Sequence, residues 1–302
     1  MNNIAEGFKQ HQEAGYFSRV NNIHPLDLYI GLYDQNHYAL EFRGKFTPQL
    51  IKSSNAIGIT QSKSENYNSL VFFLKEIEMF DNFCVFCEDI IRCTENTTDD
   101  KVGYKNISDR YYSWRKMFKT KSTTLLETNI MGLIGELLFL RDYMFEHFGQ
   151  YDSLLAWSGQ ELTHKDFSLE KTWYEVKSIS MGKELVHISS LEQLQSNNDG
   201  YLVIYQLEKM SPVYNGISIR KLATEMLSIL NSADLREMYI NKLVESGFAF
   251  DPNYDNYVYE VSHPAMYYVT REFPKLTSED VPIAVAKVQY DLLLSEIESF
   301  KI

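Results

Sequence analysis

Apolar residues in the first part of the chain come in four short runs between polar turns. DLYIGLYD (27–34), HYALEFRG (37–44), AIGITQSK (56–63) and SLVFFLKEIE (69–78) are rich in β-branched and aromatic residues. Asp34-Gln35-Asn36 and Ser62-Lys63-Ser64 are among the turns that separate them. This predicts an antiparallel meander or small sandwich over 25–80. A short amphipathic helix is expected over 1–20, and a second helix over about 81–93. The stretch ENTTDDKVGYKN (95–106) is polar, carries no apolar period and reads as a linker.

Helical patterning then takes over, first at 107–120 and then at 122–148. Within the latter, GLIGELLFLRDYMF is apolar on nearly every side, the mark of a helix buried all round. Two short strands are expected near 165–179, a strand at 184–189, a short helix at 190–195 and a strand at 201–208. Two helices fill 216–247, and three aromatic-rich strands follow near 256–262, 266–271 and 282–290. The fold class is α+β. The expected division is a β-rich N-terminal domain (1–97), a core (107–210) and a mixed C-terminal region (211–302) packed on that core.

Composition narrows the picture. With 302 residues and 44% hydrophobic content, the chain can bury one large core or two ordinary ones. The 21 Tyr and 18 Phe argue against disorder. A net charge of −12 counts against a protein that coats nucleic acid through a broad basic surface, although a local basic groove can coexist with it. Cys84, Cys87 and Cys93 lie close together, but no nearby His completes a four-ligand zinc site, so core packing on a helix is the favoured reading. The odd cysteine count, the lack of a secretory signal pattern and the lack of an apolar run of about 20 residues point to a reducing cytoplasm and no membrane span.

The most informative segment is HKDFSLEKTWYEVKSIS (164–180). Read as a hairpin turning at Glu170-Lys171, it places Asp166 opposite Glu175, Phe167 opposite Tyr174 and Ser168 opposite Trp173. Opposed side chains lie about 5 Å apart. Alternation puts Trp173, Glu175, Lys177 and Ile179 on one face, and Tyr174, Val176 and Ser178 on the other. Asp166, Glu175 and Lys177 therefore share a face, and one extra loop residue would turn Asp166 away. Two carboxylates so close repel unless a cation lies between them. Oxygen donors suit Mg²⁺, and a neighbouring lysine can assist an attacking water or steady charge on a phosphate. An ExK triplet by itself is a weak motif; its bland reading is a solvated strand face with an ordinary cross-strand pair.

Glu136 adds weight. It sits in the all-apolar helix, flanked at three and four residues by Gly132, Leu133, Phe139 and Leu140. An ionised carboxylate there needs a cation, a metal-bound water or a donor network, and the plain alternative is a buried Arg or Lys partner. Gly132 and Gly135 each cost about 1 kcal/mol relative to Ala, which suggests close packing against something such as the hairpin. Further on, SSLEQ (189–193) reads as a capping box, Ser189 with Glu192 or Ser190 with Gln193. The functional alternative has Gln193, and less readily His187 or Ser189, facing the same site.

Taken together, these residues resemble the PD-(D/E)XK superfamily, the restriction-endonuclease-like fold. Its parts look like Glu136 in GLIGELLFL, Asp166 in HKDF, Glu175-Val176-Lys177, and Gln193 in SSLEQL. With the W-x-G at 157–159, the pattern is similar to a bacterial PD-(D/E)XK group linked to restriction-modification or phage-defence loci. The resemblance is specific over about 130–208 and looser outside it. Lys165 stands where the superfamily label carries Pro. The resemblance implies a restriction-endonuclease-like αβ core, and an endonuclease that hydrolyses DNA with Mg²⁺ or Mn²⁺. Asp166, Glu175, the Val176 carbonyl and Glu136 would serve the metal, and Lys177 the water. DNA is the expected partner, with a homodimer or restriction-modification and defence proteins as further ones. Two other readings stay open: a non-catalytic DNA-binding or assembly subunit of a defence complex, and an unrelated α+β protein whose four residues form ordinary salt bridges.

Overall fold

The computed structural model describes residues 4–10, 13–118, 125–157 and 165–302. The chain forms two compact units: Met1–Thr124 with Leu227–Pro252, and Leu125–Met226 with Asn253–Ile302. Among the described residues no helix is long and apolar enough to cross a membrane.

The first unit opens with helix α1 (Ile4–Lys9), shorter than the helix expected over 1–20. Gly15, at φ 76°, turns the chain, and Phe17–Arg19 becomes strand β1. The four apolar runs become β2 (Asp27–Leu32), β3 (Tyr38–Gly44), β4 (Ile57–Lys63) and β5 (Asn68–Leu74). All pair antiparallel in the order β1-β2-β3-β5-β4. Leu28, Ile30, Leu40, Phe42, Leu70 and Phe72 are buried and alternate along the strands, as one sheet face requires. Phe72 meets Phe86 of α2 (Phe80–Cys93) and Tyr111 of α3 (Asp100–Met117). Cys84 and Cys87 are buried in α2, where burial pushes the Cys84 thiol up to about 12.

The polar stretch 95–106 is not a linker throughout. Asp99 caps α3 by accepting from the Lys101 and Val102 amides, both at 2.9 Å, so the helix begins at Asp100. The inward positions of this first part are Gly103 and Tyr104, too few apolar residues to show a period.

In the second unit, α4 (Glu127–Phe139) runs through a π turn at Leu140–Met144 into α5 (Phe145–Ala156). The helix expected over 122–148 thus carries a π turn and breaks at Gly149 (φ 74°), after which a further helical stretch runs to Ala156; 122–124 lie outside the described residues. The sheet holds β6 (Phe167–Ser168), β7 (Trp173–Ser180) and β9 (Gly200–Met210), with β8 (Leu185–Ile188) leaving it to form a separate ribbon. A single 3-10 turn, Leu191–Gln193, stands where a helix was expected. Helix α6 (Ile219–Ile229) carries the chain to the boundary at Leu227, and α7 (Ala233–Glu245) belongs to the first unit. Then come β10 (Val258–Val261), β11 (Ala265–Val269) and β12 (Tyr290–Leu293). β7 and β9 are parallel, while β10 and β11 pair antiparallel with β9. β12 pairs with β8. The last strand therefore lies later than the expected 282–290: Pro282 turns the chain, its carbonyl accepting from the Val285 amide, and β8 offers four partner residues.

β7 separates two packed layers. Trp173 and Ile179 join Val186, Ile188, Leu202 and Ile204 in one apolar cluster. On the opposite face, Tyr174 meets Phe139 of α4 at 5.1 Å between ring centroids. A Cβ on Gly135 would lie 2.2 Å from Ser178 Oγ and 3.4 Å from Val176 Cγ1. Gly135 thus lets α4 close onto β7, whereas Gly132 meets nothing within 4 Å.

Candidate active site

The hairpin adopts the expected register. Phe167 pairs with Tyr174 and Ser168 with Trp173, and the Leu169 amide donates to the Thr172 carbonyl around Glu170-Lys171. Asp166 lies just before β6, and its Oδ2 accepts the Val176 amide at 2.7 Å. That bond pins the carboxylate beside Glu175. His164, the first residue of the segment, lies outside the described residues.

Glu175 is 1% exposed on the face it shares with Trp173 and Ile179. The Lys177 ammonium lies 2.7 Å from its Oε1 and forms an ion pair with it. Among the described residues no donor serves the other carboxylate oxygen, Oε2. Burial, and then repulsion from Asp166, hold the Glu175 carboxyl well above the usual range, against the pull of Lys177 and Lys165. Burial also raises Asp166, opposed by Lys177, the Val176 amide and Lys165.

Glu136 arrives from α4, on the opposite face of β7, and is half-buried. Its Oε2 accepts the Trp157 indole N–H at 2.8 Å. Burial and the Asp166 charge push its carboxyl up to about 8, while the indole and Lys177 pull the other way. Asp166 is thus the acid that both glutamates feel, and Lys177 the cation that all three acids feel.

Gln193 is placed differently. Its Oε1 accepts the Ser189 amide at 2.7 Å and closes the 3-10 turn. The Ser190 side chain makes no capping bond, so the closure differs from a capping box. His187 pairs with Asp291 across the β8–β12 ribbon at 2.8 Å. Two residues without a role in the sequence reading stand close to the acids. Trp157 is one. Lys165 is the other: it is buried, lies over the Trp173 ring at 3.9 Å, and donates to the carbonyls of Glu192, Gln193 and Gln195. Its position immediately before Asp166 is the one signal that could have drawn attention to it.

Among the described residues, no three His, Cys, Asp or Glu side chains are gathered tightly enough to cage a metal by themselves. Mg²⁺ does not demand such a cage, because it is ordinarily held by one or two carboxylates plus waters and phosphate oxygens. A buried carboxylate with one oxygen lacking a donor among the described residues, beside a second carboxylate, fits that donor set.

No curated protein and no solved structure matches the chain. A family described as "Putative PD-(D/E)XK family member, (DUF4420)" matches residues 6–295. That match spans nearly the whole sequence, and the chain belongs to this PD-(D/E)XK family.

Proposed function

We propose that the second unit is a divalent-metal-dependent endodeoxyribonuclease. The observation that carries this reading is Glu175: a buried carboxylate paired with Lys177 through Oε1, beside Asp166, and with no donor to Oε2 among the described residues. Asp166 and Glu175 would hold Mg²⁺, or Mn²⁺ in its place, with the Val176 carbonyl as a further ligand and Glu136 acting through a metal water or second metal. Such an ion supplies Lewis-acid polarisation of the phosphate and a more acidic water.

The chain's own residues do the rest. Asp166 is fixed by the Val176 amide, so its free oxygen keeps a constant direction. The Lys177 ammonium stands where it can orient the attacking water or steady the growing charge on phosphorus. Water oxygen bonds to phosphorus, the bond to the 3′ oxygen breaks, and one water proton ends on that oxygen, leaving a 5′-phosphate. Gln193 holds the turn after β8 that Lys165 grips. The β-rich first unit would recognise DNA or a partner subunit, and a homodimer would cut both strands. Restriction or phage defence in the bacterial cytoplasm is the setting that the sequence resemblance favours.

Plasmid incubated with Mg²⁺ or Mn²⁺, with Lys177→Ala as control, tests the reading. Nicking or linearisation by the parent and not by the variant is expected; equal cleavage by both refutes the assignment.

One observation favours a second reading, a non-catalytic DNA-binding or assembly subunit. Lys177 is engaged by Glu175, and the acids form no ready trio among the described residues. Lack of heat stabilisation by either metal, together with an intact plasmid, would select it.

A further inference from the structure

We infer that Trp157 is a positioning residue that sets Glu136 for the metal through its indole N–H, and through its backbone ties Glu136 to the Asp166 hairpin. The inference rests on the metal-dependent reading above.

Trp157 is fully buried, so its indole N–H has no water to turn to. Glu136 Oε2 accepts it at 2.8 Å. Glu136 lies near the end of α4, just before the π turn at Leu140–Met144, a kind of helix irregularity often found at functional sites. The backbone of Trp157 meanwhile forms an antiparallel bridge with Phe167, the residue after Asp166. One residue therefore touches both acid-bearing elements, its ring on one and its main chain on the other. A shift of the hairpin must move the indole, and with it the Glu136 carboxylate. Partners of this kind orient ligating groups, and losing one typically lowers metal affinity 10–100-fold.

A saturating donor set would make the same contact merely structural. Asp89, in the first unit, accepts from Trp114 at 2.7 Å and from Arg110 and Arg236 as well. Among the described residues, the donor given to Glu136 is the indole, which leaves its other oxygen for a cation.

The test is a titration of Mn²⁺ into the full chain, its W157F variant, and a protein carrying benzothienylalanine at 157. The last exchanges the indole N–H for sulfur at nearly equal shape, and it decides the matter if W157F does not fold. Bound Mn²⁺ is read by the loss of its free paramagnetic signal and by quenching of tryptophan emission. The parent should bind Mn²⁺ with clear quenching. Both variants should melt cooperatively without metal, yet need at least about tenfold more Mn²⁺ for half-saturation. Their apparent Mg²⁺ requirement for cleavage should rise, with the KM for DNA unchanged. Folded variants that bind Mn²⁺ within twofold of the parent overturn the role of Trp157 and leave the nuclease reading standing. A parent that binds no Mn²⁺ overturns both.

Discussion

Each unit buries a carboxylate against a tryptophan indole, and the two arrangements end differently. In the first unit, Asp89 is 2% exposed and accepts from Arg110, Arg236 and the Trp114 indole. Its charge is met and its lone pairs are used. In the second unit, three acids share Lys177 as a common counter-charge, and Glu175 Oε2 lacks a donor among the described residues. A protein that saturates one buried acid can do the same for others. On the proposed reading, the shortfall beside Asp166 is where a cation would sit, whereas Asp89 is a structural joint.

The largest effect expected from this contrast is catalytic. Lys177→Ala and Asp166→Ala should lower plasmid cleavage by at least about 10³-fold, with an unchanged circular-dichroism spectrum. Cleavage within tenfold of the parent would erase the difference between the regions. Next comes Asp89→Asn, which leaves two buried guanidinium groups without their counter-charge. It should destabilise the fold by about 3–5 kcal/mol in denaturant titration and leave metal binding intact. A stable D89N protein would show that the joint is dispensable.

A smaller effect comes from Glu136. Its folded-state carboxyl sits at about 8, above the ordinary 4.5. Stability tied to its proton is fully present below about 4.5 and is lost as pH rises through about 8. Metal-free Glu136→Gln should therefore melt several degrees above the parent at pH 8 and close to it at pH 4.5, on a scale of about 2–4 °C per kcal/mol. Adding Mn²⁺ should narrow the gap at pH 8. The smallest effect is that of Gln193→Ala, which loses the bond to the Ser189 amide. About 1 kcal/mol of stability should go, and cleavage should fall by less than about tenfold. A larger loss of cleavage would place Gln193 among the reacting groups.

What could be read from the chain alone follows from parity and range. The hairpin was legible because strand pairing across a two-residue turn leaves one register that opposes Phe167 to Tyr174. The four strands over 27–74 were legible because apolar runs and polar turns alternate there. The start of α3 was not, because a capping Asp99 and a largely polar first turn carry no apolar period. β12 was misplaced because a β-prone stretch forms a strand only where a partner lies beside it, and β8 is short. The contacts of Trp157 and Lys165 were hidden for another reason. Their partners lie 21 residues and 27–30 residues away, and no local pattern encodes a bond across such a gap.

The order of strands in the second sheet has a consequence for how the protein is made. β9 meets β7 along one edge, and its other edge is shared end to end by β10 and β11. Those two strands leave the ribosome only after Leu227–Pro252, a stretch that belongs to the other unit. Until then β9 has a bare flank, and nascent chains with such flanks are prone to pair wrongly. Completion of the sheet beneath Glu175 and Lys177 therefore waits until 258–269 have emerged, so a chain cut before them would lack the support its acids need.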